Sequence, residues 1–348
     1  MTAALILGGG APNLTLMTGA LAALKERGAE FSAISASGAG MLVALLYAAP
    51  KDIEPIEALK STRNMGVVDP INVWFPFNYK VFQKPGILAE WYRKALNPFL
   101  NHLPQSSLPE QWANDLAWFV AAMFSPSSLW PLSGGLSAPA PWIEDVVDFK
   151  KLEKLPFDLY INAYNLTNKR MDTFKNTEIT ANHFRAALAF PFIYPPFRLN
   201  NCDYIEGSAV DTFNFYALLD EYEIQKKEPI DALVVFDVIG QEEILHAPAD
   251  LYDAWVQSIM VPLVSMAKDD LKIFKDRHLA KYKPLELRKI CFDCERIDWD
   301  KVLHWSRSNL ENLYDVGYDA GWKFYDENRD ILDPRHGGAA RANVRALR

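Results

Sequence analysis

The chain has few cysteines, no surplus of positive charge and no long hydrophobic run, and each shortage removes a class of protein. Three cysteines in 348 residues, at positions 202, 291 and 294, cannot build a disulfide scaffold. Cys291 and Cys294 are spaced C-x-x-C, but no second Cys or His pair accompanies them, so ordinary thiols in a reducing compartment fit better than zinc. Neither a metal nor a cofactor is expected. Lys and Arg number 36 against 44 Asp and Glu, giving a net charge of −8 with no basic block, and a nucleic-acid partner is not expected. No apolar stretch reaches the roughly 18–20 residues that a bilayer span needs. Met1-Thr2 run straight into "AALILGGG" with no basic segment ahead of it, so a cytoplasmic protein without a secretion signal is expected.

What is present points to an α/β fold. Half of the residues are hydrophobic, enough for a sizeable core. "AALILGG" is a short apolar run ending in glycines and reads as a buried strand. "NLTLMTGALAALKERG" carries apolar residues at helical spacing and stops at Gly28, with Lys25 and Arg27 in the last turn. "EFSAISAS" reads as a second strand and "GAGMLVALLYAA" as a second helix ended by Pro50. This order predicts parallel pairing, with functional loops at the C-terminal ends of the strands. Later, "FDLYINAYNLT" and "IDALVVFDVIG" read as strands, "ITANHFRAALAF" as a helix, and "FIYPPFRLNNCDYIEGSAVD" as a turn-rich hairpin. The C-terminal third reads mostly as amphipathic helix, and the charges of "DRHLAKYKPLELRK" as a solvated face. One α/β domain over 1–335 is expected, with a mostly parallel central sheet flanked by helices, and a flexible basic tail over 336–348.

From about residue 70 to 142 the texture changes. Six of the ten tryptophans fall here and prolines recur. Two readings stand: an inserted helical, aromatic cap or lid, or a subdomain packed for stability. The apolar stretch 116–133 is a candidate for peripheral contact with a membrane.

Three elements could carry chemistry. In "LGGGA", consecutive glycines between strand and helix expose backbone N–H groups, and those of Gly9, Gly10 and Ala11 could hold an oxyanion. The loop continues Pro12-Asn13, so no nucleotide-binding pattern is met. In "AISASGAGMLVALL", every residue from Ser35 to Gly40 is Ser, Ala or Gly, as a tight nucleophile-bearing turn requires. Glu206, followed by Gly207 and Ser208, places a carboxylate after the hairpin, where it could act as general base.

In this order the three elements resemble the patatin-like phospholipase family. That family has a glycine-rich oxyanion loop, a G-x-S-x-G elbow and a late D-G-G or D-G-A, and works with a Ser/Asp dyad. The resemblance covers about residues 3–50 and 155–240 and implies hydrolysis of lipid acyl esters without a metal. Three departures accompany it. Pro12-Asn13 stand where the family has Arg or Lys and then Gly. Glu206 replaces the family's Asp. Gly38 falls at the serine position, flanked by Ala36, Ser37, Ala39 and Gly40.

Two functional expectations follow. In the first, the elbow is shifted by one residue: Ser37 is the nucleophile, Glu206 takes its proton, and the lid desolvates the pair. In the second, the nucleophile is lost and the chain is a catalytically silent acyl-binding or scaffold protein. His246 is the best-placed residue for an ordinary triad, and Asp203 would be the base under a different hairpin register, with Asp211 also flanking Glu206.

Overall fold

Alternation of apolar runs with amphipathic segments produces the expected layered α/β architecture. The structure is a computed structural model describing residues 2–10, 13–224, 230–237, 242–279, 285–299, 301 and 303–333. The basic tail and Ala11 lie outside the described residues.

The strands are β1 (Ala3–Leu7), β2 (Ala33–Ala36), β3 (Asp158–Asn165), β4 (Arg170–Lys175), β5 (Phe197–Leu199), β6 (Cys202–Glu206), β7 (Ala232–Phe236) and β8 (Glu286–Ile290). They form one sheet in the order β5-β6-β3-β2-β1-β7-β8, with β4 also paired to β3. The central pairs β1–β2, β1–β7, β2–β3 and β7–β8 are parallel, as the strand-helix-strand rhythm predicts. The hairpin side is antiparallel: β6 pairs with β3 and with β5. Asn200 and Asn201 make the β5–β6 turn with positive φ, the conformation asparagine tolerates best among residues with a side chain.

β8 corrects the reading of "DRHLAKYKPLELRK" as a solvated face, since Glu286–Ile290 form a strand beside β7. Charged residues suit this position because it is at the sheet's edge. Arg288 pairs there with Glu286 and Asp330, and Lys289 with Asp237.

The early helices are α1 (Leu14–Glu26), α2 (Gly40–Ala48) and α3 (Pro55–Ser61). Three more, α4 (Asp69–Trp74), α5 (Ile87–Asn101) and α6 (Leu108–Phe124), occupy the tryptophan-rich segment, which contains no strand. After them come α7 (Ile143–Val146), α8 (Ala181–Ala187), α9 (Phe215–Ile224), α10 (Leu251–Ile273), α11 (Arg307–Glu327) and α12 (Arg329–Leu332).

Every residue of α1 from Leu14 to Leu24 is buried. Burial all round means the helix is covered on both sides, and its second cover is α11, almost 300 residues later in the chain. The two backbones meet at glycines. A Cβ on Gly317 would collide with the Leu16 carbonyl, and one on Gly19 with the backbone of Tyr314 and Tyr318. Gly317→Ala is therefore expected to separate α1 from α11 and lower stability by about 1–3 kcal/mol, measured by urea denaturation.

Candidate active site

The site forms where β1, β2 and β6 end. β2 places Ser35 and, one residue past its end, Ser37 on the same face, because side chains alternate along a strand. Both hydroxyls meet the segment 211–214. Ser35 Oγ donates to the Asn214 carbonyl at 2.9 Å, and Ser37 Oγ to the Asp211 carbonyl at 3.0 Å. Ser37 is fully buried. Its hydroxyl fastens the turn to the loop after β6 and makes no hydrogen bond to Glu206. The contact expected of a shifted elbow is thus absent, and the reason is the strand's period of two, which aims residue 37 away from the carboxylate.

The chain reverses at Gly38, whose φ is +51°. This left-handed conformation is strained for residues with a Cβ, and it marks residue 38 as the apex of the turn. An added Cβ there would lie 2.5 Å from Glu206 Oε1 and 2.5 Å from Ser208 Oγ. The apex thus points at the carboxylate, and the space for a side chain is already occupied by Ser208. Ala36 closes β2, Ala39 precedes α2, and Gly40 packs against the carbonyls of Leu7 and Gly8, where a Cβ would collide.

Glu206 is the last residue of β6, paired with Ala163 of β3, and its N–H donates to the Ala189 carbonyl at 3.1 Å. Gly207 follows because a Cβ would collide with Asn162. Residues 207–209 form one tight turn that brings the Ser208 hydroxyl back to donate to Glu206 Oε1. Burial pushes the Glu206 carboxyl up from 4.5 to about 7, a rise that the Ser208 hydrogen bond moderates. Nearby, burial also raises Asp211, and raises Asp270 of α10 to about 6.

Gly10, Ala39, Glu206 and Ser208 line one cavity of about 540 Å³, walled mainly by apolar side chains that include Leu42, Phe184, Phe190 and Trp255. Gly9 is buried, Gly10 is half-buried with φ +125°, and neither donates its N–H to an acceptor among the described residues. A second apolar cavity of about 270 Å³, between α5 and α6, shares Phe77, Phe82 and Leu136 with the first.

The other candidates stand apart. Asp203 faces solvent and pairs with Arg198. Asp211 accepts the Asn214 N–H at 2.8 Å through its carboxylate. His246 lies 3.5 Å from Asp253 on α10 and lines neither cavity. Among the described residues, no group of three His, Cys, Asp or Glu side chains converges as a metal site would. Sequence reasoning placed Ser208 only in the turn and missed its contact with Glu206. The signal was available, since a hydroxyl two residues beyond a buried acid can fold back onto it.

A model of the patatin-like phospholipase family matches residues 5–219. The chain belongs to that family. No curated protein matches this patatin-like chain. Among solved structures it is similar to VipD from Legionella pneumophila, at 14% identity over 94% of this chain and 66% of VipD, with a TM-score of 0.40. It is also similar to the type III effector ExoU, at 13% identity over 94% of this chain and 53% of ExoU, with a TM-score of 0.37. A third likeness, at 18% identity over 78% of this chain and 53% of the other with a TM-score of 0.28, is to ExoU solved in complex with SpcU from Pseudomonas aeruginosa. The chain therefore spans just under two thirds of VipD and about half of ExoU.

The raised carboxyl has a consequence for stability. Between pH 4.5 and about 7 the folded chain keeps a proton on Glu206 that the unfolded chain has released. The stability that Glu206 contributes is therefore lost as pH rises through that window. Asp270 and Asp211 act in the same direction, so the difference between the wild type and Glu206→Gln isolates Glu206. Chemical denaturation from pH 4.5 to 8 is expected to show Glu206→Gln gaining on the wild type, by about 1–3 kcal/mol at pH 8.

Proposed function

We propose that this chain hydrolyses acyl esters of lipids, with a serine hydroxyl as nucleophile and Glu206 as its general base. The backbone N–H groups of Gly9 and Gly10 receive the oxyanion. One observation carries the reading: a buried carboxylate, shifted to about 7 and hydrogen-bonded to a serine hydroxyl, stands on the wall of a large apolar cavity beside the glycine loop. An ordinary carboxylate is a weak base for a hydroxyl, and desolvation brings its pKa close to the working pH. The apolar walls suit an acyl chain, and family membership supports a lipid as its source.

The segment 70–142 serves in this reading as a cap over the cavity that also meets the lipid surface. Trp74, Ile87, Trp91, Phe99, Phe124, Trp130 and Leu132 are all exposed, which is unusual for so many large apolar side chains within one segment. The cap holds four Lys and Arg against three Asp and Glu, while the chain as a whole carries −8. It therefore lacks the acidic surplus by which an anionic membrane would repel the chain as a whole. No helix among the described residues is long and apolar enough to cross a membrane, so this contact is peripheral.

The absence of a side chain at Gly38 favours the other reading, an acyl-binding protein without turnover. Kinetics separate the two. Hydrolysis of a short soluble p-nitrophenyl ester is expected to rise with pH through an apparent pKa near 7, the base form of Glu206 being the active one, and to fall about a thousand-fold or more in Glu206→Gln. No turnover in the wild type would support the silent reading. Combining Trp91→Ser, Phe124→Ser and Trp130→Ser is expected to weaken binding to phospholipid vesicles roughly tenfold or more, measured by co-sedimentation, while leaving the rate on the soluble ester within about twofold.

A further inference from the structure

We infer that the nucleophilic hydroxyl of this site is that of Ser208, supplied from the turn after β6 into the space left by Gly38 at the apex of the β2–α2 turn. The inference rests on the hydrolase reading above and names the serine that reading leaves open.

Three observations converge. First, of the two candidate hydroxyls, only Ser208 touches the base. It donates to Glu206 Oε1, whereas Ser37 donates to the Asp211 carbonyl. Second, Ser208 and Glu206 both line the large cavity beside Gly10, and Ser37 does not. A nucleophile must reach the substrate carbon while its base and the oxyanion donors stand within hydrogen-bond distance of the same reacting group. Third, a Cβ on residue 38 would sit 2.5 Å from Ser208 Oγ and 2.9 Å from Ser208 Cβ. The apex and Ser208 therefore compete for one place, and glycine at 38 is what lets Ser208 hold it.

The step balances without any further reactant than water. Glu206 accepts the Ser208 Oγ–H proton as Oγ bonds to the ester carbonyl carbon, and the carbonyl electron pair moves onto oxygen to make the oxyanion. Collapse breaks the bond to the leaving alkoxide, which takes the proton from Glu206 and departs as an alcohol. Water then attacks the acyl-Ser208 ester and gives its proton to Glu206. The second collapse releases the fatty acid and returns the proton to Ser208 Oγ. Closeness in sequence does not forbid the pairing, since the tight turn at 207–209 already holds hydroxyl and carboxylate together.

The test uses the full chain and a fluorophosphonate probe, with the labelled peptide located by mass spectrometry and turnover followed on the soluble ester. The expected result is a label on Ser208, retained in Ser37→Ala and lost in Ser208→Ala, with turnover lower by about a thousand-fold or more in Ser208→Ala. Locating the label in the wild type needs no variant to fold, and circular dichroism checks the fold of both variants. A label on Ser37 or any other residue, or a folded Ser208→Ala that keeps turnover within about tenfold, overturns the placement on Ser208 while the hydrolase reading stands. A wild type that neither labels nor turns over overturns the hydrolase reading, and this inference with it.

Discussion

The site depends on one steric constraint: residue 38 has no room for a side chain. The turn from β2 into α2 passes through a left-handed residue, and the atoms facing that residue are the carboxylate of Glu206 and the hydroxyl of Ser208. Glycine meets both demands, tolerating the dihedral and leaving the volume free. Any larger residue there would displace the Glu206–Ser208 pair. The same pair is held from behind, because Gly207 lies against Asn162 of β3 and Asp211 receives the hydroxyl of Ser37 through its carbonyl. Ser37 is then best understood as the pin that keeps the 211–214 segment registered on β2.

Those contacts explain what was legible in the sequence and what was not. β1, α1, β2 and α2 could be read because each is a local pattern: an apolar run, a 3.6-residue period, a glycine stop. The hairpin carrying Glu206 was legible from its prolines and asparagines. The direction of the Ser37 side chain was not, because it is fixed by a carbonyl 174 residues away. A motif read by spacing places residues along the chain, but it does not say toward which face a hydroxyl turns. The period of two puts Ser37 on the same face as Ser35, but which face that is depends on the distant segment 211–214 that both hydroxyls meet. The strand at Glu286–Ile290 was missed for a related reason, since its charges are satisfied by pairs drawn from other elements.

The tryptophan-rich segment was visible as a change in composition, but composition does not divide core aromatics from exposed ones. The structure divides them. Trp142 donates its ring N–H to the Val81 carbonyl and packs edge-on against Phe184, while Trp74, Trp91 and Trp130 face outward. What fixes the segment to the body is also hidden in sequence. Asp115 of α6 is fully buried, pairs with Lys80, lies 3.5 Å from Arg307 at the start of α11 and accepts the Val68 N–H at 2.8 Å. Val68 before α4, Lys80 in the following turn and Arg307 at the start of α11 converge on one carboxylate. Two basic side chains and a backbone donor surround it, as a buried carboxyl group requires.

Asp115 and Glu206 are two buried carboxylates in different surroundings, and the contrast connects the 70–142 segment to the site. Asp115 is compensated by cations and serves as an anchor. Among the described residues no cation pairs with Glu206, and its burial pushes its carboxyl up to about 7. A carboxylate keeps such a value only while water stays away from it. Phe77, Asn78, Val81 and Phe82, residues of the 70–142 segment that flank Lys80, line the cavity around Glu206. The Asp115–Lys80 pair thus ties down the stretch of chain that forms this wall of the cavity. Loosening that anchor would admit water and return Glu206 toward an ordinary carboxylate. The environment of Glu206 is therefore set by how the 70–142 segment is attached as much as by the residues that touch the carboxylate itself.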